Sequence, residues 1–146
     1  MHAPVSSPGR SVRRVGVLAV VGTFGLAGCG EDPKGPRPEL RGRWGGAHFG
    51  LLVTSARATA LFDCGTGTLE IPISVDPDGR FAATGTYTRE VGPAALTNPA
   101  RYEGWVFHDA LVLSATVTDT LSGGDPFEIG PFVGTPDRDP EVAYCE

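Results

Sequence analysis

From Arg43 to Val133 the chain alternates apolar with polar or small residues at a period of two. No stretch of ten or more residues shows helical spacing with caps. Residues two apart share a face of a strand, whereas residues three and four apart share a face of a helix, so this pattern predicts strands. Phe49, Leu51 and Val53 alternate with Gly50, Leu52 and Thr54; Ala58, Ala60, Phe62 and Cys64 then line one face, up to a turn at Gly65-Thr66-Gly67. Thr68–Val75 has the cleanest alternation, with Pro72 marking an edge or a bulge because it cannot donate a ladder hydrogen bond. Asp76-Pro77-Asp78-Gly79 is a turn sequence leading into Arg80–Thr88, where Phe81, Ala83, Gly85 and Tyr87 share a face. A Gly-, Pro- and Asn-rich loop is expected over 92–100, followed by a hairpin of 102–107 and 111–117 turned at His108-Asp109-Ala110. Phe127–Val133 reads as a shorter strand before an acidic, proline-containing tail. The prediction is an all-β, antiparallel up-and-down meander of about eight strands, closed as a barrel or split into a β-sandwich.

The first thirty residues follow a different logic. Arg10, Arg13 and Arg14 stand before Val15–Leu26, an uncharged apolar run. Twelve helical residues span only about 18 Å, short of a bilayer core of roughly 30 Å but the right size for the apolar region of a signal peptide. Leu26-Ala27-Gly28-Cys29 follows and resembles the lipobox of bacterial lipoproteins at all four positions. That resemblance implies cleavage before Cys29, acylation of its thiol, and stable attachment by two or three acyl chains. Gly30 in place of aspartate implies the outer membrane, with the protein facing the periplasm. The expected organisation is a signal peptide over 1–28, a lipidated cysteine and Pro/Gly tether over 29–41, and one β domain over 42–146, with an N-terminal arm packed on the domain as the alternative to a free tether.

Removing the signal leaves nine basic residues against seventeen acids, a difference of −8. Such a body repels phosphate and is not expected to bind nucleic acid. With Cys29 acylated, Cys64 and Cys145 remain in an oxidising compartment, where an even pair predicts a disulfide; two free buried thiols are the alternative. Closing a loop of about 80 residues stabilises a fold by roughly 4.5 kcal/mol on the chain-entropy model.

Gly42-Arg43-Trp44 resembles the G-x-W signature of lipocalin-type barrels, and Gly85-Thr86-Tyr87 is similar to a strand of avidin-type barrels. Both belong to the calycin group, which implies an up-and-down barrel over roughly residues 42–118. A long helix after the last strand and a polar set suited to biotin are both missing, so no ligand residue is carried over. The lipobox, the tether, Phe62-Asp63-Cys64, Asp78-Gly79-Arg80-Phe81 and the terminal cysteine together look like a group of small bacterial lipoproteins, a likeness that implies no activity.

Candidate chemistry is sparse. Asp76-Pro77-Asp78-Gly79 offers half of a calcium loop without the later acids, and Asp137-Arg138-Asp139-Pro140-Glu141 offers three carboxylates in what reads as a solvated tail. His48, His108, Asp63 and Asp109 are the residues from which an acid/base pair could be assembled, but no G-x-S-x-G elbow or HExxH motif accompanies them. Neither an enzyme, nor a metal site, nor a cofactor is expected. Trp105 and Phe107 fall on the face opposite Tyr102, Gly104 and Val106, so one set must point away from the core; with Trp44 they are the candidate ligand or partner surface. The expected role is a membrane-anchored, non-catalytic binding or protein-interaction module of the envelope, its partner an envelope protein or a small apolar ligand. The alternatives are a carrier of a small apolar ligand and an inhibitor of an envelope hydrolase.

Overall fold

The structure, a computed structural model, describes residues 37–91, 93–120 and 123–145; the signal peptide, the lipobox and Cys29 lie outside the described residues. Eight antiparallel strands form one closed barrel in chain order: β1 (Gly42–Gly46), β2 (Phe49–Val53), β3 (Ala58–Phe62), β4 (Gly65–Leu69), β5 (Arg80–Val91), β6 (Ala94–Phe107), β7 (Ala110–Val117) and β8 (Phe127–Pro136). The last strand returns to the first through Trp44↔Pro136 and Gly45↔Thr135, so the barrel and not the sandwich is realised. Two-residue loops join β1 to β2 (Ala47-His48), β3 to β4 (Asp63-Cys64) and β6 to β7 (His108-Asp109). One residue of each loop has a positive φ: the second in two of them, 63° at His48 and 54° at Cys64, and the first in the third, 53° at His108. The rim holding loops 47–48 and 63–64 is here the upper rim; loops 54–57, 70–79 and 108–109 form the lower rim.

The alternation along each strand sorts side chains into wall and interior. On β7, Leu111, Leu113, Ala115 and Val117 are buried, and on β6 so are Asn98, Ala100 and Tyr102. Large interior rings sit over bare positions on nearby strands. A Cβ at Gly65 would lie 2.8 Å from the Tyr87 hydroxyl, one at Gly67 3.1 Å from Cζ of Tyr102, and one at Gly104 2.8 Å from the Phe81 ring. Phe49 occupies the space over Gly134 in the same way. Tyr102 has no exposed surface; its hydroxyl donates to the Thr86 carbonyl at 2.7 Å, and burial pushes the phenol above its ordinary range. Towards the upper rim Phe49, Phe62, Phe132 and Tyr87 pack ring on ring, with centroids 5.1–6.0 Å apart. At the lower rim Leu40 and Ile73 join the core. They are held by Leu40 N–H to Ile73 O and Val75 N–H to Pro38 O, each 2.8 Å. The interior is packed with side chains, as an eight-stranded barrel of small radius permits.

Four expectations need correction. The strand expected over Thr68–Val75 ends at Leu69, because 70–79 leaves the ladder to meet the incoming chain through the Glu39↔Ser74 bridge. Gly65 and Gly67 are strand residues under aromatic rings, and the turn precedes them. Much of the loop expected over 92–100 is the first half of β6. Pro99 is tolerated there because its carbonyl, and hence its missing N–H, faces away from β5 and towards Thr118. Finally, residues 38–40 of the expected tether belong to the body, since buried Leu40 completes the lower plug.

Replacing Gly67 with alanine changes volume where backbone geometry would otherwise allow it, so Tyr102 must give way inside a filled core. Gly67→Ala is expected to lower stability by about 1–3 kcal/mol, read from the midpoint of urea unfolding at unchanged slope.

Candidate functional site

Trp105 and Phe107 point outwards, 47% and 65% exposed, while Tyr102 and Val106 turn to the interior side of the same strand. The ladder sets Trp105 opposite Arg80 on β5 and Val112 on β7, and Val112 opposite Val133 on β8. Arg80, Trp105, Val112 and Val133 thus form one cross-strand row on the outer wall, with Phe107 two positions further towards the lower rim. Val133 is 57% exposed. Beside the row lies a cleft of about 640 Å³ lined by Arg37, Asp76, Arg80, Glu103, Trp105 and Ser114.

Val133 was not visible as a surface residue from alternation. Counting by twos from Phe127 and Ile129 places it inside. The β7–β8 register slips by one between Leu113↔Phe132 and Ala115↔Ile129, so β8 carries one extra residue near Gly130, which has a φ of 98°. Phe132 therefore packs against the core and Val133 faces out. The third surface candidate, Trp44, is corrected: it is 8% exposed, a core residue, and its indole Nε1 has no hydrogen-bond partner in the structure.

The acid/base candidates divide between the rims. His108 and Asp109 occupy the β6–β7 loop at the lower rim, and the Phe107 and His108 rings meet at 4.1 Å. His48 and Asp63 come together at the upper rim, Nδ1 to Oδ2 at 2.5 Å, because their hairpins share strand pair β2–β3. The other carboxylate oxygen, Oδ1, accepts the Ala143 N–H at 2.7 Å. Foremost that backbone donor, and then His48, hold the Asp63 carboxyl below its ordinary value of 3.8. Asp63 is thereby committed to the C-terminal segment, and among the described residues no hydroxyl or thiol is bonded to this pair.

The carboxylates of that segment are exposed, as expected of them, but the segment itself is attached to the barrel and is not a free tail. After β8 the chain doubles back and runs parallel to β1 on the outside of the barrel, through Asp137 N–H to Arg43 O, Glu141 N–H to Gly46 O and His48 N–H to Glu141 O, at 2.8–3.0 Å. Outward-facing Gly45 and Gly50 make room for it: a Cβ at Gly45 would strike the backbone of Arg138 and Asp139, and one at Gly50 would sit 2.6 Å from Pro140. Arg43 pairs with Asp139 at 3.0 Å and Arg138 with Glu141 at 2.5 Å. Cys64 N–H donates to Ala143 O at 3.0 Å, and the Cys64–Cys145 disulfide secures the end. Three carboxylates that looked free in sequence are thus spread along a strap. Gly45 paired with Gly50, followed far downstream by a terminal cysteine, was the signal that could have revealed it. The other acidic candidate, Asp76, uses its Oδ1 to accept the N–H groups of Asp78 and Arg80 at 3.0 and 2.7 Å, closing its own turn. No group of three or more His, Cys, Asp or Glu side chains suited to a metal ion occurs among the described residues.

No protein-family model, curated protein or solved structure matches the chain.

A carboxyl whose folded value is depressed contributes stability above its unfolded value and loses it as pH falls through the folded one. Acidification below 3.8 should therefore loosen the strap at Ala143 before the barrel opens. Hydrogen exchange at the Ala143 amide should accelerate on acidification beyond the intrinsic pH dependence of exchange. Asp63→Ala should produce the same acceleration at neutral pH, while exchange at Tyr102 stays slow.

Proposed function

We propose that the protein is a lipid-anchored envelope lipoprotein, attached through Cys29 and facing the periplasm, that acts by binding and not by catalysis. The observation that carries the binding part of this reading is the apolar outer wall, where Trp105 and Phe107 on β6 and Val133 on β8 lie exposed with Val112 between the strands. Large apolar side chains gathered on a surface, with polar residues around them, are the usual mark of an interaction site. The packed interior adds support. With Phe81 over Gly104 and Tyr102 over Gly67, the space in which a carrier would hold a small apolar ligand is taken by the chain's own rings. His48 and Asp63 serve the strap, which gives the enzyme reading no reactive group to activate.

Metabolic labelling with a radioactive fatty acid is expected to mark the wild-type chain and not Cys29→Ala; an unlabelled wild type overturns the anchor. Hydroxyl-radical footprinting of isolated envelopes addresses the surface. Oxidation of Trp105 and Phe107 should fall well below that expected from their exposure, with Tyr144, 81% exposed at the upper rim, as the internal reference. Full oxidation at both positions would remove the interaction surface from this reading.

A further inference from the structure

The outer-wall row lies at the same end of the barrel as the point where the anchored chain enters. Phe107 ends β6 at the lower rim, and Trp105 stands opposite Arg80, the first residue of β5. Arg37, the first described residue, lines the cleft beside Trp105. The chain that follows is bolted to the lower rim through Pro38 and Leu40. We propose that the Trp105–Phe107–Val133 strip docks onto the lipid surface that carries the anchor, so that the barrel rests on its lower side against the membrane interface. This inference rests on the lipid-anchor reading above.

Chain length is the first argument. Seven residues separate Cys29 from Arg37, and the eight Cα-to-Cα steps between the two reach at most roughly 29 Å. With Cys29 acylated, the cleft beside Trp105 is held within that distance of the headgroups. The upper rim lies a strand further away: β5 has 12 residues, roughly 40 Å of extended chain before tilt. A tether this short also keeps the effective concentration of lipid at the strip high, so a modest apolar surface suffices to dock.

Chemistry is the second argument. Tryptophan is the residue that best suits the boundary between headgroups and acyl chains, where its ring is apolar and its N–H stays wet. Trp105 is half-exposed, with Phe107 two positions further along β6, Val133 beyond Val112 in the same cross-strand row, and Arg80 opposite it in register. Arginine is suited to bind a lipid phosphate in two places at once. The difference of −8 between basic and acidic residues in the mature chain rules against attraction by a negatively charged surface, so the expected partner is zwitterionic lipid. The exposed apolar residues towards the upper rim, Leu96, Phe127 and Tyr144, sit on separate segments with no register pairing between them.

The test uses full-length protein purified from its own host's membranes, with acylation read from its intact mass, reconstituted into phosphatidylcholine vesicles containing brominated lipid. The chain has two tryptophans, and Trp44 is buried in the barrel. The expected result is a blue shift in unbrominated vesicles and loss of emission to shallow bromines, both removed in Trp105→Phe and reduced in Phe107→Ser. An unacylated mass overturns the anchor reading and the docking with it. An acylated protein whose Trp105 keeps its emission overturns the docking alone, as does protection of Trp105 that appears only when envelope protein is added back.

Discussion

The aromatic rings of the interior need room that eight strands of ordinary side chains do not leave, and inward-facing glycines supply it. Tyr102 lies over Gly67, Tyr87 over Gly65, Phe81 over Gly104 and Phe49 over Gly134. Each ring buries apolar area, which is the main favourable contribution to folding, and each glycine removes the overlap that would push strands apart. The arrangement fixes register as well, because a one-residue slip would place a Cβ under a ring and turn the apolar set outwards.

Closure of the barrel depends on its weakest seam. β1 and β8 share two register pairs, whereas β5 and β6 share twelve. The C-terminal strap continues from β8 over the outside of β1 and β2, seated on Gly45 and Gly50, ion-paired through Arg43 and Asp139, and tied at its end by the disulfide to the β3–β4 turn. The disulfide closes a loop of 81 residues, which restricts the unfolded chain. In the folded chain the same link holds the end of the strap at the β3–β4 turn. The His48–Asp63 pair belongs to this device. Its carboxylate takes one hydrogen bond from the strap and one from the neighbouring hairpin.

The two rims therefore differ in kind. Towards the upper one Phe49, Phe62, Phe132 and Tyr87 stack, and there His48, Asp63 and Ala143 are hydrogen-bonded to one another. The lower one receives the incoming chain, is plugged by Leu40 and Ile73, and leaves Trp105, Phe107 and Val133 uncovered on the adjoining wall. A single irregularity completes that wall. The extra residue in β8 lets Phe132 reach the core and releases Val133 to the outside, so a bulge in one strand supplies one side of the strip.

By itself the sequence determined the all-β class, the up-and-down order, the inward sets of β3 and β7, the placing of Trp105 and Phe107 on the face opposite Tyr102 and Val106, and Cys64 and Cys145 as the candidate pair. These are consequences of a two-residue repeat, of tight turns and of cysteine count, all of which act locally or by simple parity. Only the tertiary structure decided barrel over sandwich, the early end of β4 at Leu69, the inclusion of Leu40 in the core, the exposure of Val133, and the meeting of His48 with Asp63 under the strap. Each of those depends on which backbone lies beside which, and pairing between residues as distant as Arg43 and Asp139 is set by the register of the whole barrel. A periodic pattern along one strand carries no record of that register.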